Sequence, residues 1–140
     1  MGANDATLFG AQHVPLDEYS SKLGQILDLL PASVPKVLIT PPIPQGEVWA
    51  ASKGIAGLEP NRSEANTARY AQACREVARR RATCGVELVD LWQAMDDYRS
   101  VEGQQLGDLL TDGLHLSERV RPWLLASAFC ATAVGAFDSS

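Results

Sequence analysis

One stretch constrains this chain more than any other: Lys36-Val37-Leu38-Ile39-Thr40, followed at once by Pro41-Pro42. A short run of branched apolar residues suits a buried strand. Proline cannot donate to a ladder, so the strand must stop there. A second run, Val86 to Leu91, alternates and then turns apolar, which predicts a second strand. Helical patterns flank both. Leu16, Tyr19, Leu23, Ile26, Leu27 and Leu30 form an apolar stripe at helical spacing, with Pro15 as the first helical residue and Pro31 and Pro35 ending it. Tyr70, Ala73, Cys74, Val77 and Ala78 give a second helix its buried face, with Ser63 as its cap and Gly85 as its stop. Trp92 to Asp97 reads as a short third helix. The order helix, strand, helix, strand, helix predicts an α/β fold with a parallel sheet and helices on both faces.

The rest of the chain is less regular. Residues 43–62 are rich in Pro, Gly, Ala and Ser and read as a long loop. Trp49 stands out in it, either pinning a surface excursion or forming a lid or acyl-pocket wall. Residues 99–107 read as polar loop. The small-residue run Ala126 to Phe137 carries no charge. It is shorter than the ~18 apolar residues of a membrane span, so it reads as a buried terminal helix, and no span is expected.

Composition excludes several classes of partner. With 12 basic and 17 acidic residues the net charge is -5, and no aromatic-basic stripe appears, so nucleic acid is not expected. Arg79-Arg80-Arg81 is the one basic run and reads as a solvated helix end. Cys74, Cys84 and Cys130 lack metal-ligand spacing, and no metal or cofactor is expected. An odd cysteine count and a polar start without an apolar signal region point to a reducing, cytoplasmic setting. Met1-Gly2 fails as a myristoylation signal because position 6 is alanine.

Chemistry enters at Thr111-Asp112-Gly113-Leu114-His115-Leu116-Ser117. A carboxylate and an imidazole three residues apart suit a nucleophilic hydrolase: the imidazole takes a proton and the acid holds its tautomer. The same residues also read as a polar turn leading to a helix cap at Ser117. A second stretch, Gly2-Ala3-Asn4-Asp5, adds weight. Asn4-Asp5 alone is an ordinary turn pair. Together with His13-Val14-Pro15-Leu16, Leu38 to Pro42, Asn66-Thr67 with Tyr70-Ala71, and Val89 to Trp92, the two stretches occur in an order that resembles the SGNH (GDSL-type) hydrolases. Within that family they are similar to the isoamyl-acetate-hydrolysing esterase branch. The resemblance runs from residue 2 to about residue 119, and residues 120–140 diverge. A change of reading frame is one explanation of that abrupt end.

The resemblance implies a three-layer, flavodoxin-like α/β/α fold and a small-molecule ester substrate, with small acyl or acetyl esters as the class. It implies that His115 is the general base, that Asp112 orients it, that Asn4 donates its amide to the oxyanion, and that Gly2 permits the turn that brings Asn4 in. Asp5 holds that turn, and His13 is structural. The family's nucleophile lies in a Gly-Asp-Ser block upstream of the Gly-x-Asn-Asp block. No serine of this chain stands in Gly-Asp-Ser or in a Gly-x-Ser-x-Gly elbow. The 140 residues therefore read as one partial, N-terminally truncated domain, inactive by itself. A non-catalytic fragment or isoform that binds a partner, and an unrelated α/β binding module, are the alternatives. Oligomeric state is not legible.

Overall fold

The computed structural model describes residues 2–55, 60–118, 120, 122 and 126. Among the described residues eight elements follow in order: α1 (Leu16–Leu29), β1 (Lys36–Ile39), α2 (Gly46–Ser52), α3 (Glu64–Arg80), a 3-10 turn (Ala82–Cys84), β2 (Val86–Val89), α4 (Leu91–Ser100) and α5 (Leu106–Leu109). The two strands pair in parallel, from Lys36 opposite Val86 to Ile39 opposite Val89. One further bond, from the Thr40 N–H to the Val89 carbonyl at 3.1 Å, closes the ladder before the prolines. A parallel pair needs a long crossover, and α2 and α3 supply it.

Helix α3 starts where Ser63 accepts a hydrogen bond from the Asn66 N–H, a cap worth about 1 kcal/mol. Packing outweighs that cap, since a buried Val or Leu contributes roughly 1.5–3 kcal/mol. Tyr70, Cys74 and Val77 of α3 meet Tyr19, Leu23 and Leu27 of α1 and Leu38 and Val86 of the sheet in one cluster. The Tyr19 and Tyr70 rings lie 5.1 Å apart in a tilted arrangement, a geometry aromatic pairs favour. A second cluster joins Ile43, Leu91, Trp92, Met95 and Leu109, and Ile39 packs against it. The face of the strands bearing Val37 and Glu87 is exposed at those positions.

The strand ends are locked together by polar groups. Thr40 Oγ1 donates to Asp90 Oδ1 at 3.1 Å and accepts from the Trp92 N–H at 2.9 Å. Asp90 also caps α4 through the Gln93 N–H and takes two bonds from the Arg75 guanidinium, at 2.6 and 3.0 Å. Thr40 is buried, so its hydroxyl would otherwise be left unpaired in the core.

The structure departs from expectation in particular places. The region 43–62 contains α2, so it is not all loop. Residues 99–107 include the end of α4 and the start of α5. Pro15 occupies the N-cap position of α1, one residue earlier than expected. Helix α3 ends before Gly85, which in left-handed conformation (φ 71°) closes the following 3-10 turn instead. Arg79 and Arg80 are exposed as expected, while Arg81 is half-buried and makes two bonds to Asp28 of α1, at 3.1 and 2.9 Å. The expectation for the uncharged C-terminal run and Cys130 falls outside the described residues. No helix among the described residues is long and apolar enough to cross a membrane.

Candidate active site

The loop after α5 is shaped by the Asp112 carboxylate. Its Oδ1 accepts from the backbone N–H groups of Leu114 and His115, at 3.2 and 2.9 Å. Its Oδ2 lies 2.9 Å from His115 Nδ1 and 3.5 Å from Lys53 Nζ. A carboxylate can only accept, so the Nδ1 proton belongs to histidine, and Nε2 is left as the free nitrogen. Burial opposes ionisation of Asp112, but the bonds from the His115 backbone, the His115 ring and the Leu114 backbone outweigh it. The carboxyl is held well below the usual carboxylate range.

The loop is closed at its base. Leu110 and Leu116 form an antiparallel bridge, the Thr111 N–H donates to the His115 carbonyl at 2.8 Å, and the Ser117 N–H donates to the Leu109 carbonyl at 2.9 Å. Gly113 makes the turn possible. Its φ is +84°, and an added Cβ would come within 2.7 Å of the Trp49 nitrogen and 2.8 Å of the Gln45 carbonyl oxygen. That close approach lets the Gly113 carbonyl accept from the Gln45 N–H at 2.8 Å, which docks the loop on the start of α2. Trp49 of α2 then stands edge-on to the His115 ring, centroids 5.7 Å apart. Lys53 and Arg62 place their cations over the same indole, at 4.2 and 4.7 Å from its centre.

The chain's opening turn forms the other side of the site. Ala6 N–H donates to the Gly2 carbonyl and Thr7 N–H to the Asn4 carbonyl, at 2.9 and 3.1 Å. Gly2 is buried with φ +104°, and a Cβ there would stand 3.0 Å from the Tyr19 hydroxyl. Asn4 is exposed, and its Oδ1 accepts from Arg62 Nη2 at 3.0 Å. Because a guanidinium only donates, the oxygen of the amide must face Arg62. The Asn4 amine has no protein partner among the described residues. The Asp5 carbonyl accepts from the Val14 N–H at 3.1 Å, which ties this turn to the entrance of α1.

A cleft of about 690 Å³ opens between the two sides. Gly2, Asn4 and His115 line it, with Tyr19, Leu23 and Leu114 among its apolar walls. Pro42 and Leu91 also line it; they follow β1 and β2, so the cleft lies beyond the carboxyl ends of the strands. Open parallel sheets bind ligands there. Asp112 sits behind His115 and is not part of the lining. Trp49 meets the site through the His115 ring. His13 is exposed and lies outside the cleft, with Nδ1 against the Thr7 carbonyl. Arg62 and Lys53 carry no signal in the sequence. Neither falls in a periodic pattern, and Arg62 bonds Asn4 across 58 positions of sequence.

The structure is a parallel α/β domain with Asn4 and His115 on one strand-end cleft and Asp112 bonded behind the histidine. The family model of the GDSL-like lipase/acylhydrolases matches residues 1–124. The chain is 40% identical over 123 residues to the isoamyl acetate-hydrolyzing esterase 1 homolog of Rattus norvegicus, covering 83% of this chain and 47% of that protein. It is 34% identical over 128 residues to a GDSL esterase/lipase of Arabidopsis thaliana, again with 83% of this chain and 50% of that protein. Among solved structures it resembles LAE5, an alpha/beta hydrolase enzyme from the metagenome of Lake Arreo, Spain. The TM-score is 0.61 at 26% identity, over 89% of this chain and 50% of that one. The chain belongs to the GDSL-like lipase/acylhydrolase family, which removes the unrelated binding module as a reading. It spans about half the length of the curated relatives it matches.

Proposed function

We propose that these residues are the base-and-oxyanion part of a carboxylic ester hydrolase acting on small acyl or acetyl esters by serine, histidine and aspartate. The observation that carries this reading is the shared cleft: Gly2, Asn4 and His115 line it together, with Asp112 bonded behind the histidine. The names of the relatives support the substrate class.

In this reading a serine attacks the ester carbonyl, and His115 Nε2 takes its proton and returns it to the leaving alcohol. Asp112 fixes the tautomer through Nδ1 and stabilises the imidazolium. The Asn4 amine donates to the oxygen as it becomes negative. A neutral amide does this without binding the ground state strongly. The serine is not among these 140 residues in any family setting, which favours, as the second reading, a non-catalytic fragment or isoform that binds a partner.

Hydrolysis of p-nitrophenyl acetate separates the two. The chain alone should turn over weakly or not at all. The same chain, joined in frame to a Gly-Asp-Ser segment ahead of Gly2, should hydrolyse the ester, and His115→Ala should abolish that activity. Robust hydrolysis by the chain alone that survives His115→Ala would remove both the assigned role of His115 and the need for an added serine.

A further inference from the structure

Among the buried charges that the proposed hydrolase leaves unused, Arg62 lies nearest its site. Arg62 is 5% exposed, and both terminal nitrogens of its guanidinium bond the turn that carries Asn4, with Nη2 also reaching Gln12 Oε1 at 3.4 Å. Nη2 donates to Asn4 Oδ1 at 3.0 Å, and Nη1 donates to the Ala3 carbonyl of the same turn. Its cation lies over the Trp49 ring, which in turn stands against His115. The Nε atom is buried without a hydrogen-bond partner. Burying a guanidinium with one donor unpaired is costly, and a purely structural tie between two loops does not require a charge.

We propose that Arg62 is the positioning residue of the oxyanion donor: it holds the Asn4 amide by its oxygen, so that the amine is the end presented to the substrate. This rests on the reading of Asn4 given above. An Asn side chain on an exposed turn can present either end of its amide. A donor that only donates settles the choice, because an amide turned the other way would set two N–H groups against the guanidinium. The bond also draws electron density toward Oδ1, which makes the amine a stronger donor to a developing negative charge. Asp112 adds a favourable field at Arg62 against the cost of its burial. One cation thereby serves a group whose strength counts only in the transition state.

The test uses two measurements. In the 140-residue chain, the side-chain amide of Asn4 is followed by 15N relaxation. The heteronuclear NOE of its NH2 should be that of a restrained group, and should fall in Arg62→Met and Arg62→Lys while the backbone spectrum is retained. Lysine keeps the charge but cannot bond both Asn4 and Ala3 in the same way, so it separates positioning from charge and serves if the methionine variant does not fold. An NOE that is already low, or unmoved in Arg62→Lys, overturns the proposal.

In the chain joined to a Gly-Asp-Ser segment, Asn4→Ala should lower kcat by about 10²–10³. Arg62→Met should lower kcat by roughly 10-fold or more with KM within about 2-fold, the signature of an interaction made in the transition state. The double variant should be no slower than Asn4→Ala alone, because Arg62 acts through Asn4. Losses that multiply would assign Arg62 a merely structural role. No loss in Asn4→Ala would remove the reading of Asn4 itself, an outcome distinct from failure of Arg62 alone.

Discussion

Asp112 and His115 are three residues apart, and the loop that carries them is closed by its own hydrogen bonds. Asn4 faces the same cleft, but its amide is held by Arg62, 58 positions away. The first arrangement needs little beyond the loop, the glycine at its turn and the start of α2. The second exists only once the chain has folded around α3. Local geometry therefore carries the proposed proton-transfer pair, and tertiary structure carries the proposed charge-stabilising group. The two arms should respond differently to the same insult.

The largest effect should come from the local arm. In a chain supplied with its serine, Asp112→Asn should lower kcat by about 10⁴, because the imidazole loses the acceptor that fixes its tautomer. His115→Ala should remove turnover altogether. Steady-state kinetics with p-nitrophenyl acetate measures both. An Asp112→Asn loss no larger than that of Asn4→Ala would erase the distinction between the arms.

Gly113→Ala should come next, and it tests how the local arm is seated. The substitution meets both a left-handed φ and the backbone of α2. It should cost about 1–3 kcal/mol in urea denaturation. A neutral effect would mean that the loop is not docked on Gln45 and Trp49 as described.

Acid should open the local arm before it disturbs the other. The folded-state pKa of Asp112 lies below its unfolded value, so its contribution to stability is present above about pH 4 and is lost as pH falls through the folded value. Carboxyl 13C shifts should place its midpoint clearly below that of an ordinary aspartate, with the Leu114 and His115 amides losing exchange protection in the same step. A midpoint at or above about 4 would contradict the hydrogen bonds assigned to it.

The smallest effect belongs to the other histidine. His13→Ala should leave turnover within about 2-fold, since the ring is exposed and outside the cleft. A large loss there would break the assignment of proton transfer to one histidine.

These differences also explain what the sequence could reveal. The elements α1, β1, α3, β2 and α4 were legible because each is long or strongly patterned, with prolines ending β1 and following α1, and Ser63 and Asp90 capping the starts of α3 and α4. Helices α2 and α5 were not. The first is seven residues, Gly46–Ser52, set among prolines, and the second is four, Leu106–Leu109. A signal for α5 was present in Gln105-Leu106-Gly107-Asp108, where the Asp108 carboxylate accepts from the Gln105 N–H at 3.0 Å, but it lay in a stretch that otherwise reads as polar loop. At the site, the Asp112–His115 spacing could be read directly because the pair is local. Asn4 entered through a resemblance of ordered blocks. Arg62 and the Trp49–His115 contact could not be read at all, because their partners are brought together only by the fold.

The Asn4 amine and the His115 ring are proposed to act on one reacting group from two sides of the cleft. A crystal structure of the serine-bearing chain after reaction with a small alkyl phosphonate, which mimics the tetrahedral intermediate, tests it most directly. The phosphoryl oxygen should accept a hydrogen bond from Asn4 Nδ2, with Oδ1 still on Arg62 and His115 Nε2 on the leaving-group side. An adduct whose oxygen is bound elsewhere, with Asn4 turned away from it, would contradict the claim.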